Sequence, residues 1–418
     1  MRNAVLVLML MFALAVAAIG QTFSSGSNGL DGPLDLTFGD RVVLLPDSGI
    51  LNYTTVNIPV GRTLTFQNNL ANTPVIMLAQ GAVNIAGTIN ISGSGGSPGP
   101  GGFYGGGAMR PGFGPGGGQP PANGWLLGSG GQWIGPLSLV PNIGGSGGGG
   151  SGNLSCDYNN VYYQGGGGGG GAITIASSAG ITLSGVIYAN GSQLYGGCPF
   201  YSYSGSMGAP GAIRLVANTI NVSGGLSAAV VRLEGPSGHV TYAGSGTNPV
   251  VSTINPVIAP TNPPAVSFSS IGGYQVPSSS GGSFTTIDVL LPTQLQDPIP
   301  IIVKGTNIPV GSPVSISVSG PGGPTFTTAT LSGTTASSTA TLYASGLSRS
   351  GVTYLFVLAT FDPTLIASNL KQVGPNAVAR VELAAAPGRE TTFRFLRRDG
   401  SEVTLSNVPV ELRRALGL

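Results

Sequence analysis

The chain has 418 residues, of which 72 are Gly and 32 are Pro, so about a quarter of it is conformationally extreme. Charged residues are only 7%, hydrophobic residues are 41%, and mean hydropathy is +0.30. These values oppose the high-charge, low-hydropathy signature of disorder. The glycines lack the strict period of three that collagen needs, and so much Gly penalises long helices. The net charge of +2 supplies no basic face for nucleic acid.

Arg2 precedes residues 4–19, which carry no polar side chain, and Ala18-Ile19-Gly20 is a small-x-small cleavage site. This is the layout of a secretory signal peptide over residues 1–20. The alternative is an uncleaved anchor, although the run falls short of the roughly 20 residues that span a bilayer. No later segment is long and apolar enough to cross. The sequence therefore predicts an extracellular or cell-surface protein with no transmembrane span in its mature part. Cys156 and Cys198 are the two cysteines. In an oxidising compartment they are candidates to pair, against the alternative of two free thiols. A bridge between them would contribute roughly 3–4 kcal/mol on the chain-entropy account.

Residues 21–257 read as a Gly-rich β-solenoid. The phrase Val83-Asn84-Ile85-Ala86-Gly87-Thr88-Ile89 returns as Ile181-Thr182-Leu183-Ser184-Gly185-Val186-Ile187 and as Ile220-Asn221-Val222-Ser223-Gly224-Gly225-Leu226. A second phrase, Gly171-Ala172-Ile173-Thr174-Ile175, returns as Gly211-Ala212-Ile213-Arg214-Leu215. Period-two alternation puts every second side chain on one face. Strands this short bury that face only by stacking copies of themselves, which is the logic of a parallel β-helix. An antiparallel sandwich is the competing reading. Between Arg62 and Arg214 the only charged residues are Arg110 and Asp157. Long Gly-, Pro- and Ser-rich linkers over 93–124 and 144–171 interrupt the pattern. Such loops are functional, disordered, or packed as stacked polyglycine II.

A Pro-rich linker at 258–265 leads to residues 266–361, where about seven short strands predict an immunoglobulin-like β-sandwich. The predicted strands include 287–291, 299–303, 314–318, 326–331, 339–344 and 352–359. Residues 362–418 form a charged C-terminal appendage. It carries a strand at 378–383, a hairpin about Asp399-Gly400, and a short helix at 409–416.

Several stretches resemble glycine-rich, β-helix-like exported bacterial proteins of uncharacterised role. They are Phe23-Ser24-Ser25-Gly26-Ser27, Asn52-Tyr53-Thr54-Thr55, Gly61-Arg62-Thr63-Leu64-Thr65-Phe66 and the Val83–Ile89 phrase. The segment from Gly305-Thr306-Asn307-Ile308 to Ala344 is similar to an Ig-like domain of such proteins. The resemblance implies a surface location and carries no catalytic residue across.

Chemistry is scarce. Acid–base catalysis and glycoside hydrolysis need paired titratable groups, and the solenoid's central stretch offers Asp157 alone. Asp31, Asp35, Asp40 and Asp47 read as turn and capping residues. His239 is the only His, which leaves no His-based metal site or catalytic triad. The GxGxxG spacings lack the strand, helix and downstream acid of a dinucleotide site. No cofactor or metal is predicted. Arg394, Arg397 and Arg398 form a basic cluster that Asp399 and Glu402 turn into a solvated, paired face.

The candidate ligand contacts are aromatic: Trp125, Trp133, Tyr158, Tyr162, Tyr163 and Tyr201, with Tyr195, Phe200 and Tyr203 nearby. Aromatic faces stack on sugar rings; the alternative is local packing on the solenoid edge. The first reading of function is an exported, non-enzymatic structural or adhesive protein. The second is a carbohydrate-binding protein, and a polysaccharide-degrading enzyme is the third. The partners implied are an extracellular polysaccharide or another surface protein.

Overall fold

The computed structural model describes residues 23–46, 48–69, 72–121, 128–152, 154–155, 161–162, 164–197, 202–204, 206–258, 264–277, 287–320, 323–350, 353–361, 378–385, 392–403, 408–409 and 412. The signal-peptide stretch, Cys156, Cys198 and most of the predicted 409–416 helix lie outside these residues.

Short apolar strands ended by Gly or polar turns build successive coils. β1 (Leu34–Asp35) and β2 (Arg41–Leu44) open the first, and β3 (Ile50–Tyr53), β4 (Val56–Ile58) and β5 (Thr63–Gln67) make the second. β6 (Val75–Ala79), β7 (Val83–Ile85) and β8 (Thr88–Asn90) make the third. An excursion over 91–171 follows, carrying a hairpin of β9 (Leu154–Ser155) and β10 (Val161–Tyr162). β11 (Ala172–Leu183) and β12 (Val186–Tyr188) form the fourth coil. A second excursion over 189–211 carries the hairpin of β13 (Tyr195–Gly197) and β14 (Ser202–Ser204). β15 (Ala212–Val222) and β16 (Gly225–Ser227) form the fifth coil. β17 (Val230–Glu234), β18 (Val240–Tyr242) and β19 (Ser245–Gly246) form the sixth, and β20 (Val250–Ser252) closes the stack.

Coil lies on coil through parallel pairing throughout, consistent with a β-solenoid-like fold and not with an antiparallel sandwich in this half. The three repeated phrases stack in register: Val83 lies beside Ile181, and Ile181 beside Ile220. The second phrase does the same, with Ala172 beside Ala212 and Ile173 beside Ile213. Inward positions form continuous apolar ladders such as Leu64, Ile89, Ile187 and Leu226, each at most 1% exposed. At about 25 cal/mol per Å² of apolar surface, these ladders are the main driving force of this half.

The second half holds β21 (Ala265–Ile271), β22 (Tyr274–Gln275), β23 (Ile299–Thr306), β24 (Pro313–Gly320) and β25 (Gly323–Thr330). It continues with β26 (Ser332–Gly333), β27 (Ser338–Ala344), β28 (Tyr354–Phe361), β29 (Arg380–Ala385) and β30 (Thr392–Leu396). Two five-stranded sheets, β22-β21-β23-β27-β26 and β25-β24-β28-β29-β30, enclose one core that includes Phe268, Ile301, Ile316, Val357, Leu383 and Phe395. β29 pairs with β28, so the charged C-terminal stretch extends this sheet. The strand predicted at 287–291 is irregular. Ile287 and Leu290 face solvent while Val289 and Leu291 lean on the core, and the segment forms no strand among the described residues. Val140, from the first excursion, is fully buried within this same core.

Candidate functional site

Both excursions leave the solenoid at the same corner, after β8 and after β12, and return into β11 and β15. Between those points the backbone forms a lattice in place of a side-chain core. In residues 144–151, the N–H groups of Gly145, Gly148 and Ser151 donate to the carbonyls of Gly170, Gly167 and Gln164. The N–H groups of Gly147 and Gly150 donate to Phe113 and Arg110. The carbonyls of Gly145, Gly148 and Ser151 accept from Phe103, Gly106 and Met109. Every third residue therefore meets the same neighbour, while the residues between meet others. This is the three-residue turn of a polyproline II helix, realised in glycine and bonded sideways in several directions. Residues 164–171 repeat the pattern. Gly166 and Gly169 donate to Gly106 and Phe103, and Gly167 and Gly170 donate to Ser206 and Ala209. Of the three readings of the Gly-rich linkers, stacked polyglycine II is the one with which these backbone bonds are consistent.

The lattice dictates its composition by close approach. A Cβ built on Gly169 collides with the carbonyl oxygen of Gly145, and one on Gly147 collides with that of Tyr104. Residues 141–150 are buried without a single large side chain beyond Ile143. Glycine's entropy cost of about 0.5–1 kcal/mol per residue is met by backbone hydrogen bonds contributing about 1 kcal/mol net each.

Trp133 is part of this lattice. Its indole Nε1 donates to the carbonyl of Ile143 at 3.0 Å, and its ring lies against Gly135. That geometry supports the packing alternative for Trp133. Tyr104 and Phe113 meet edge-on, with ring centroids 6.4 Å apart. Tyr162 lies in β10, opposite Leu154. Trp125, Tyr158, Tyr163, Phe200 and Tyr201 lie outside the described residues. The lattice nonetheless fixes where the two described hairpins start. Residues 151 and 164 are paired at one end, and Ser206 lies level with Gly149 and Gly167. The β9–β10 and β13–β14 hairpins therefore leave the lattice side by side at that end.

The remaining candidates are positioned without reactive company. Asp35 accepts the backbone N–H of Thr37 at 3.1 Å within its own turn, whereas Asp31 and Asp40 accept those of Asn52 and Thr63 on the next coil at 2.5 and 2.9 Å; Asp47 lies outside the described residues. The Thr37 hydroxyl, then Asn57, hold the Asp35 carboxyl below its ordinary range. His239 sits in a turn closed by its own N–H onto the Pro236 carbonyl. Arg394 pairs with Glu382 and Glu402 at 3.6 and 3.5 Å. Among the described residues no group of three His, Cys, Asp or Glu could hold a metal ion, and no helix is long and apolar enough to cross a membrane.

One charged cluster was not legible in the sequence. Arg214 and Glu234 form a fully buried two-point pair at 3.1 and 2.9 Å. Arg232 joins Glu234 at 2.7 Å. Alternation places Arg214 on the outer face of β15, but the segment at 255–258 covers that face. Arg214 donates to the carbonyls of Asn255 and Val257 at 3.1 and 2.9 Å.

Comparison with protein-family models, with curated proteins and with solved structures finds no match.

Proposed function

We propose that the protein is an exported, non-enzymatic structural or adhesive element of a cell surface, of the glycine-rich β-helix-like kind. In this reading a stiff solenoid carries a polyglycine plate and an immunoglobulin-like module. The observation that carries it is the lattice. A segment with Arg110 as its only described charge, bonded sideways in several directions through its backbone, has the rigidity of a scaffold and lacks the paired ionisable groups of a catalyst. With so few charges, contacts to a partner rest on aromatic surface, backbone edges and shape. The order β21-β23-β27 facing β25-β24-β28-β29 supports the immunoglobulin-like reading of the second half.

A second reading, carbohydrate binding, draws support from the hairpins. The lattice launches both from one end, and their strands include Tyr162, Tyr195 and Tyr203. Fractionation of the native cells with a specific antibody tests the first reading: surface retention is expected, and a cytosolic pool would overturn it. Glycan-array binding lost in Tyr162→Ala and Tyr203→Ala, with the fold retained, would establish the second. An array blank at high protein concentration would remove it.

A further inference from the structure

Charge is rare in this chain, yet seven of its 16 basic and 14 acidic residues stand in one string. Arg214 pairs with Glu234, and Glu234 with Arg232. Arg232 donates to the carbonyl of Leu137 at 3.3 Å. The N–H of the same Leu137 donates to the Glu402 carboxylate at 3.3 Å. Glu402 then meets Arg394, Arg394 meets Glu382, and Glu382 meets Arg380. Leu137 belongs to the lattice excursion, Arg232 to the solenoid and Glu402 to the second half, so the backbone of this one residue bonds to both of the others.

Three residues further on, Val140 is fully buried in the second half's core. The chain entering the second half is held as well, because Asn255 and Val257 are bonded to Arg214, and the Asn255 N–H reaches Glu234 at 2.8 Å.

We infer that residues 137–140 are a docking joint: Val140 plugs the core of the second half and the backbone N–H and C=O of Leu137 bridge Glu402 to Arg232, so that solenoid, lattice and second half hold one fixed orientation. The apolar plug supplies burial, and the charges supply register. A carboxylate brought to a poor angle near Leu137 would lose its bonds without regaining water. This goes beyond the surface-scaffold reading and survives its failure, since it concerns orientation and not location.

The amide of Leu137 reports the joint directly. Among the described residues its bond crosses to Glu402, and the residue is 43% exposed. Hydrogen exchange on the full chain should find that amide protected in the wild type. Val140→Ala and Glu402→Ala should each raise its exchange roughly tenfold or more, leaving the Gly148 amide inside the lattice unchanged. Small-angle scattering should give one compact maximum dimension for the wild type and a longer one for Val140→Asp. A Leu137 amide that exchanges freely in the wild type overturns the joint, as does a Val140→Ala protein with unaltered Leu137 protection. Should Val140→Asp not fold, the two exchange measurements decide alone.

Discussion

The side-chain amide of Asn218 clamps the backbone of Phe23 from both sides: Oδ1 accepts the Phe23 N–H at 2.9 Å, and Nδ2 donates to the Phe23 carbonyl at 2.9 Å. Asn218 lies at the end of the fifth coil's first face, while the chain from Phe23 soon enters the first coil. The intervening residues run along the stack. Ser25 bonds to the third coil through the Ala79 carbonyl at 2.7 Å and to the fourth through Ser178 at 2.9 Å. Ser27 bonds to the second through the Tyr53 carbonyl at 2.8 Å. The N-terminal segment is thus a strap across four coils.

Asn218→Ala removes both Phe23 bonds and a third, to the Ser178 carbonyl at 2.7 Å. At about 0.5–1.5 kcal/mol each, the expected loss is roughly 1.5–4.5 kcal/mol in a denaturant titration. Asn218→Asp should also lose stability, because a carboxylate keeps the bond from the Phe23 N–H but cannot donate to the Phe23 and Ser178 carbonyls. The distinguishing readout is exchange at the Ser25 amide, which should rise in both variants while Ile213 stays protected. An unchanged Ser25 amide would refute the strap.

The lattice makes a contrast between two glycines. Gly61 has φ +76° and open space around its Cβ position, so Gly61→Ala is strained only by backbone conformation. That costs about 1 kcal/mol. Gly169→Ala drives a methyl into the Gly145 carbonyl and should cost roughly 1–3 kcal/mol or more, with loss of amide protection at Gly145 and Gly148. Thermal melts of both variants check the ranking; equal losses would mean that the lattice yields.

What the sequence showed and what it hid follow from which atoms do the bonding. Val83, Ile181 and Ile220 announce their stacking, because solenoid register is written in side chains that alternate every second residue. The lattice is written in backbone alone. Nothing in the run of glycines at 165–171 says that Gly169 meets Phe103 and Gly170 meets Ala209, since every glycine offers the same donor and acceptor. The burial of Arg214 is hidden for a related reason. Its cover comes from residues 255–258, forty positions away, and period-two reasoning describes a strand without its lid. Val140 in a core built by residues 266–412 is invisible on the same grounds. The segment at 287–291 shows the converse, since alternating apolar residues there form no strand among the described residues.

Tyr53 gives a test by titration. Its ring faces inward in the second coil at 3% exposure, and burial raises its phenol to about 12 from the ordinary 10.0. The folded state holds this proton more tightly than the unfolded chain does. Stability from the neutral phenol is therefore intact below pH 10.0 and declines as pH climbs from there toward about 12. Spectrophotometric titration should find a late-ionising tyrosine that disappears in Tyr53→Phe, and the variant should lose less stability than wild type between those pH values. A Tyr53 that titrates with the exposed tyrosines contradicts its placement.

The buried charges on β15 and β17 yield the sharpest prediction. Glu234→Gln leaves Arg214, fully buried, and Arg232, nearly so, without their shared counter-charge, and breaking such a pair typically costs about 3–5 kcal/mol. Because both Arg214 and Glu234 are out of water, raising salt should not diminish the difference. Replacing the whole cluster by apolar residues (Arg214→Met, Arg232→Met, Glu234→Leu) removes the desolvation penalty and should recover part of the loss. Recovery should be incomplete, since the Asn255 and Val257 carbonyls would then lack the donors that Arg214 gives them. Urea titrations of wild type, single and triple variants check the order. A Glu234→Gln protein as stable as wild type, or one whose deficit vanishes in molar salt, would place these groups in solvent and undo the argument for a covered outer face.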